Sequence, residues 1–198
     1  MGITISRNLK WDSYINKIRA KSNALSHIII HSFSPTNTQL ITNLYKTYVR
    51  PIVEYNTSVW SPHTKSNIAA IESVQRRFTR KICKRSNMKY SCYDDRLVAL
   101  NLESLESRRI KQDLFLFYKI LHNIIDIDFS SLFEFSSLGG YGLRRHSMQV
   151  KRPANCKTLC RQNFFASRVV PVWNALPEDV VTAPTLSIFK NRVRTLHF

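Results

Sequence analysis

The sequence predicts a mainly α-helical fold, and three observations lead to this prediction. Apolar residues recur at intervals of three and four along most of the chain, as they do on one face of a helix. Only 4 of the 198 residues are glycine. Prolines and polar breaks divide the periodic segments into lengths that are typical of globular helices. The hydrophobic content of 43% is sufficient for a folded core.

The first helix is predicted over residues 11–31, where apolar residues have helical spacing. Ser34 and Pro35 match the N-cap and first position of a second helix. Pro51 should kink this second helix near Val49–Arg50, because proline lacks the backbone N–H that a helix interior requires.

The third helix is predicted at about 66–86, after the break "SPHTKSN". The three helices together predict a bundle over residues 11–86. Leu40, Leu44 and Tyr48 form the expected apolar stripe of the second helix. The residues expected in the core of the bundle are Ile18, Leu25, Leu44, Tyr48, Ile71, Phe78 and Ile82.

The second half of the chain should form a further helical segment. A short helix near 94–100 precedes a long one near 103–125. Periodicity is lost over 126–162, and this loop-rich insertion allows a short β-hairpin. Two helices near 163–175 and 184–196 complete the chain. Trp60 and Trp173 are expected as core anchors of their segments rather than as platforms on which bases stack.

The chain is strongly basic, with 30 Lys and Arg against 13 Asp and Glu and a formal net charge of +17. Such an imbalance destabilises a compact chain by self-repulsion unless a polyanion neutralises it. Nucleic acid is the first candidate partner, and an anionic membrane surface is the second. No apolar run approaches the roughly 18 residues of a membrane span, and no secretory signal opens the chain. The four cysteines are expected as reduced thiols, which favours an intracellular location, nuclear or cytoplasmic.

Positive charge is segregated on the third predicted helix. Its cations lie across the arc opposite Ile71, Phe78 and Ile82, whereas a merely solvated helix would mix acids with bases. Glu72 is the only acid between residues 66 and 86. This pattern predicts a nucleic-acid-facing surface, with a nuclear-import signal or a solvated face as alternatives. The predicted nucleic-acid contacts on this helix are Arg76, Arg77, Arg80, Lys81, Lys84 and Arg85.

Two further groups of cations are candidates for the same role. Arg108, Arg109 and Lys111 lie near the start of the long helix, where positive charge opposes the helix dipole and suits a site for an anion. Arg144 and Arg145 lie in the basic stretch "LRRHSMQVKRP".

The triplet Tyr93-Asp94-Asp95 is close to the motif with which reverse transcriptases hold catalytic Mg²⁺, an aromatic residue, one spacer and two aspartates. Here Tyr93 directly precedes Asp94, and the downstream "RLVAL" has helical rather than alternating spacing. No candidate strand supplies the third carboxylate that such a site needs. We therefore expect Asp94 and Asp95 to be first-turn acids of a helix, and no catalytic or metal-binding residue in this chain.

Two other groups of residues suggest a metal site, but the evidence for each is weaker. Cys156 and Cys160 lie near His146, but their spacing differs from that of the common Cys-x2-Cys zinc knuckle. His27 and His31 are four residues apart on a helix but lack the glutamate of a metalloprotease motif, so we expect histidines at the edge of the core.

Several separated blocks, in one order, resemble the C-terminal part of the reverse transcriptase of non-LTR (LINE-type) retrotransposons, near the jockey and CR1 branches. The resemblance covers nearly all of the chain. The blocks are "LYKTYVRPIVEYNTSVWSPH" (44–63), "IESVQRRFTRKI" (71–82), "YDDRLVALNLESLESRRIKQDLFLFYKIL" (93–121) and "RQNFFASRVVPVWNALPEDVVTAPTLSIFK" (161–190).

The resemblance implies a remnant of the palm-to-thumb junction at 1–10, a thumb-like helical bundle at 11–88, and a post-thumb helical region at 89–198. In polymerases of this shape the thumb grips the template–primer duplex, so the implied partners are RNA, DNA or an RNA–DNA hybrid, and a fingers–palm segment.

Most of the palm is missing from this sequence, so we expect no enzyme activity and no cofactor on this chain. The complete parent would be an RNA-directed DNA polymerase that uses Mg²⁺. Two alternatives stay open. The chain could be an independent basic helical adaptor for an acidic protein or a membrane surface, or a non-functional remnant of a decayed element.

Overall fold

The structure is a computed structural model that describes residues 2–7, 9–34, 37–89, 92–136, 146–152, 158–196 and 198. The described residues are mainly helical, which confirms the predicted fold class. The chain divides into two compact units. Unit 1 comprises Met1–Asn56 and Pro62–Arg108, and unit 2 comprises Thr57–Ser61 and Arg109–Phe198.

Helices are named here in chain order. They are α1 (Asp12–Ser32), α2 (Thr38–Leu44), α3 (Arg50–Glu54), α4 (Thr57–Trp60), α5 (Lys65–Arg85), α6 (Tyr93–Ala99), α7 (Leu105–Leu121), α8 (Leu159–Gln162), α9 (Phe165–Asn174), α10 (Glu178–Val181) and α11 (Leu186–Arg194).

The two long helices of unit 1, α1 and α5, pack side by side. Both agree with their predicted bounds to within one residue. The α5 helix begins after Thr64, whose side-chain oxygen accepts a hydrogen bond from the Asn67 amide at 3.2 Å. Ile71, Phe78 and Ile82 of α5 are buried as predicted.

The second helix is present, but its predicted start is wrong. It begins at Thr38, where the side chain of Asn37 accepts a hydrogen bond from the Leu40 amide at 2.9 Å. The cap is therefore Asn37 rather than Ser34, although both residue types are suited to this position.

The buried stripe of this helix is also displaced by one residue from the prediction. Leu40 and Tyr48 are exposed, at 40% and 56%, and Leu44 is half-buried, as is Leu25 of α1. The side chains that fill the core are Ile41, Tyr45, Val49, Ile52 and Val53. Both stripes have the same four-residue spacing, so periodicity alone could not choose between them.

The helix changes its hydrogen-bonding pattern where Pro51 was expected to disturb it. A π-helical turn occupies Tyr45–Val49, and α3 then starts at Arg50 with Pro51 in its first turn. Proline is tolerated at this position because the first amides of a helix have no intrahelical acceptor. The hydrogen-bonding pattern thus changes at Val49–Arg50, and the kink expected there stays a prediction.

Unit 2 is built around aromatic side chains from its longer helices. The ring centroids of Phe117 and Trp173 are 4.6 Å apart, and those of Tyr118 and Phe189 are 4.4 Å apart. Trp60, on the short helix α4, is fully buried, as is Trp173. Both tryptophans are therefore core residues, as predicted.

An ion pair between half-buried Arg168 and buried Asp113 connects α4 to the rest of unit 2. Arg168 donates to both carboxylate oxygens of Asp113, at 2.7 and 3.0 Å. The same guanidinium donates to the carbonyl oxygens of Thr57 and Ser58 at 3.2 and 2.7 Å. Burial raises the pKa of Asp113, and the opposing effect of Arg168 favours its charged form.

The irregular part of unit 2 contains very little β-structure in its described residues. Phe135 and Val150 form an isolated antiparallel bridge, where the sequence allowed a hairpin. The side chain of Asn174 bonds the backbone N–H and C=O of Val150 at 3.0 and 2.8 Å. An amide side chain therefore satisfies the groups that a further strand would have paired.

The division of the chain differs from the boundary that was expected after residue 88. Residues 89–108 belong to unit 1, where the amide of Leu105 donates to Glu72 of α5 at 3.1 Å. Within the described ranges, no helix has both the length and the apolar character required to cross a membrane.

Candidate nucleic-acid interface

The α5 helix presents its cations to solvent because its apolar side is buried in unit 1. Phe78, at 1% exposure, stacks on the ring of Tyr45 at a centroid distance of 4.2 Å. Arg76, Arg77, Arg80, Lys84 and Arg85 are exposed, and Lys81 is half-buried. These six residues are called the α5 basic face below. The structure places them where the sequence predicted.

The acid of α5 is turned away from this face. Glu72 is 6% exposed. Its carboxylate accepts the Leu105 amide at 3.1 Å and the hydroxyl of Tyr93 at 2.5 Å. Glu72 thereby closes the N-terminal end of α7, where a negative charge is favoured by the helix dipole. Its charge is satisfied inside unit 1, so the α5 basic face keeps its positive potential.

Tyr93 supports one end of the face. The Arg76 guanidinium lies 4.5 Å above the centroid of its ring, in cation–π geometry. Gln75 donates to the Tyr93 hydroxyl oxygen at 3.1 Å. Burial and the neighbouring Glu72 raise the pKa of Tyr93, so its hydroxyl stays protonated and donates to the carboxylate.

The triplet at Tyr93 is the start of a helix, as predicted. Asp94 and Asp95 lie in the first turn of α6. The Asp95 amide donates to the sulfur of Cys92, and the Cys92 amide donates to the Asp95 carboxylate, each at 3.3 Å. This reciprocal pair is a capping box, with a thiol in the place of the usual hydroxyl. Asp95 therefore has a local role as part of the cap, and Asp94 lies beside it in the same first turn, where the helix dipole favours negative charge.

Replacing Asp94 by Asn should lower the free energy of unfolding by only about 0.3–1 kcal/mol, because it removes one exposed charge from the positive end of a helix dipole. Urea denaturation followed by circular dichroism measures this change. A loss several times larger would show that Asp94 has a partner beyond the first turn of α6.

Among the described residues, no group of three or more His, Cys, Asp or Glu side chains is arranged to hold a metal ion. His146 is buried, with its Nε2 3.0 Å from the carbonyl oxygen of Trp173. Cys160 is exposed, and Cys156 lies outside the described residues.

The cations near the start of α7 are not presented to an anion, which corrects the prediction for Arg108, Arg109 and Lys111. Arg108 forms a two-pronged salt bridge with Glu54. Arg109 is 4% exposed, and Lys111 is 6% exposed and donates to the carbonyl oxygen of Arg194 at 3.0 Å. Sequence spacing could not reveal this, because Glu54 and Arg194 are distant along the chain. Arg144 and Arg145 lie outside the described residues.

His27 and His31 are exposed on α1 rather than at the edge of the core. Their rings are 4.1 Å apart. His27 lowers the pKa of His31 most strongly, and Lys81 and Arg85 of α5 add to this effect. The α5 basic face thus continues toward α1, which the sequence did not show because it depends on the packing of the two helices.

Comparisons with known proteins add one relative. No protein-family model matches the chain, and no solved structure matches it. The chain is similar to the uncharacterized protein B0403.1 of Caenorhabditis elegans, with 28% identity over 121 residues that make up 61% of this chain and 61% of that protein. The chain thus spans less than two thirds of the length of this curated relative. Because the relative is uncharacterized, the similarity brings no activity with it.

Proposed function

We propose that this chain grips a nucleic-acid duplex through its phosphates, with the α5 basic face as the contact surface, as a thumb does in a reverse transcriptase. One observation carries the proposal: six cations share one side of α5, while Glu72, the acid of that helix, is buried and bonded to Leu105. A surface of this kind attracts a polyanion and has no internal countercharge.

The dimensions of the face suit a duplex. Residues 76–85 span about 14 Å along the helix axis. A duplex of that length carries about eight phosphates on its two strands, so each cation can find a phosphate partner. Four of the six are arginines, whose guanidinium group binds phosphate oxygens in pairs.

Phosphate contacts hold a duplex without reading its sequence. This property suits a polymerase that copies any template, and it agrees with the resemblance of the sequence to the thumb and post-thumb region of LINE-type reverse transcriptases. The partner would then be an RNA–DNA hybrid or another duplex. Catalysis with Mg²⁺ would belong to a fingers–palm segment of the parent polymerase.

Binding of a labelled RNA–DNA hybrid should weaken steeply as salt is raised, with a log–log slope of roughly −4 to −5 for five or six phosphate contacts. Replacing Arg77 by Ala should reduce that slope by about one and weaken unrelated sequences alike. Filter-binding titrations at several salt concentrations measure both effects. Lys21→Ala is the matched control, since it removes an equal charge from an exposed position on α1.

An affinity that does not change with salt concentration, or that is much higher for one nucleic-acid sequence than for others, would contradict the proposal. Equal effects of Arg77→Ala and Lys21→Ala would mean that net charge, rather than the α5 basic face, sets the affinity. Binding to anionic vesicles in preference to the hybrid would favour a membrane-surface adaptor instead.

The proposal also predicts the outcome of a primer-extension assay. This chain alone should not extend a primer on an RNA template at any Mg²⁺ concentration. When the chain is joined to an upstream fingers–palm segment, the combined protein should extend the primer. This activity should survive Asp94→Asn and Asp95→Asn, because these carboxylates belong to the first turn of α6. Loss of synthesis in either aspartate variant, with the fold intact, would contradict this assignment.

A further inference from the structure

A polar groove lies between α1 and α5 in unit 1. On α1 its residues follow the spacing of one helix face, and on α5 they are four residues apart. None of the described residues that line it is acidic. The lining residues are Asn16, Arg19, Ala20, Asn23, Ser73 and Arg77.

The groove combines charge with hydrogen-bond donors. Arg19 and Arg77 bring one guanidinium group from each helix. Asn16, which is exposed, adds a side-chain amide that can donate. Ala20 has the smallest side chain of the lining.

The groove adjoins the α5 basic face, because Arg77 belongs to both. Farther along the same pair of helices, His31 of α1 lies near Lys81 and Arg85 of α5. The sequence numbers rise together on the two helices, so α1 and α5 run in the same direction. Positive charge therefore continues from α5 across the groove onto α1.

We propose that this groove binds a single phosphodiester group, held jointly by Arg19 and Arg77 and bonded by the amide of Asn16. The inference rests on the proposed function and adds α1 to the contact surface. Two guanidinium groups and one amide can donate to both free oxygens of one phosphodiester. The α5 basic face contacts a duplex from one helix only, whereas the groove adds a phosphate contact from a second helix and so helps to fix the orientation of the duplex.

A double-mutant cycle tests whether the phosphate is shared. Arg19→Ala should weaken binding of the RNA–DNA hybrid roughly eightfold at 0.1 M salt, the effect of one phosphate contact, and lower the salt slope by about one. The Arg19→Ala, Arg77→Ala double variant should be little weaker than either single variant, because one phosphate is lost in every case. The Arg19→Ala, Arg80→Ala variant should instead show the product of the two single effects, since those arginines hold different phosphates.

A neutral substitution separates hydrogen bonding from charge. Asn16→Ala should weaken binding several-fold with the salt slope unchanged, and alanine at this exposed helical position does not endanger folding. Arg19→Lys keeps the charge but loses the two-pronged contact, so its affinity should fall between those of the native chain and Arg19→Ala. Thermal unfolding of each variant confirms that the fold is retained.

The outcomes distinguish this inference from the proposed function. The native chain could bind with a steep salt slope, and Arg77→Ala could weaken this binding, while Arg19→Ala has no more effect than Lys21→Ala. In that case the groove does not bind a phosphate, and the contact surface consists of the α5 basic face only. Multiplicative effects of Arg19→Ala and Arg77→Ala would also overturn the shared phosphate contact. Binding that does not depend on salt overturns the proposed function, and this inference with it.

Discussion

Replacing Arg76, Arg77, Arg80 and Lys81 together by glutamine should lower the affinity for an RNA–DNA hybrid by roughly three and a half orders of magnitude at 0.1 M salt. Loss of four phosphate contacts removes about 3.6 from the log–log slope, which leaves little of the electrostatic attraction. Glutamine keeps most of the length of the side chains, so the exposed side of α5 stays helical. Filter binding at several salt concentrations measures both the affinity and the slope.

The matched control removes the same number of positive charges elsewhere. Lys17, Lys21, Arg152 and Arg161 are all exposed and lie outside the α5 basic face. Their replacement by glutamine should change the affinity much less, because none of these four charges belongs to the proposed contact surface. Similar losses in the two quadruple variants would refute a defined contact surface on α5.

The largest effect on stability is expected for Phe78→Ala, which should lower the free energy of unfolding by about 3–5 kcal/mol. Phe78 is 1% exposed and stacks on Tyr45, so its removal leaves a cavity between α5 and the π-helical turn of unit 1. A loss of this size is a large part of the stability of a typical domain, about 5–15 kcal/mol. Urea denaturation, followed by circular dichroism, measures it.

Tyr48→Ala provides the comparison for this experiment, because Tyr48 is a similar aromatic residue that is 56% exposed. Its replacement should change the free energy of unfolding by less than about 1 kcal/mol. A larger loss for Tyr48→Ala than for Phe78→Ala would show that the second helix buries the stripe that the sequence suggested, and that the buried position of Tyr45 is wrong.

Some structural features could be predicted from the local sequence pattern, and others could not. The bounds of α1 and α5 followed from long apolar stripes and, for α5, from the polar break "SPHTKSN" before it. The register of the second helix did not follow, because it depends on tertiary partners of Tyr45. These are the ring of Phe78 and the side chain of Gln75, which is 3.1 Å from the Tyr45 hydroxyl.

The candidate site divides in the same way. The α5 basic face was predictable because burial of one side of a helix determines which side faces solvent. The salt bridge of Arg108 could not be predicted, because its partner Glu54 is far away in sequence. The groove of Arg19 and Arg77 also required the packing of α1 beside α5. The buried position of Glu72 could be found only from its bonds to Tyr93 and Leu105.

The placement of α4 has a consequence for how fragments of this protein can be made. Thr57–Ser61 belongs to unit 2, although unit 1 residues precede and follow it in the chain. No single cut in the gene therefore yields either unit whole. A fragment that begins at residue 109 lacks Trp60 and the two carbonyl oxygens that Arg168 binds. During synthesis on the ribosome, Thr57–Ser61 emerges long before the rest of unit 2, so its bonds to Arg168 can form only after more than 100 further residues have been translated.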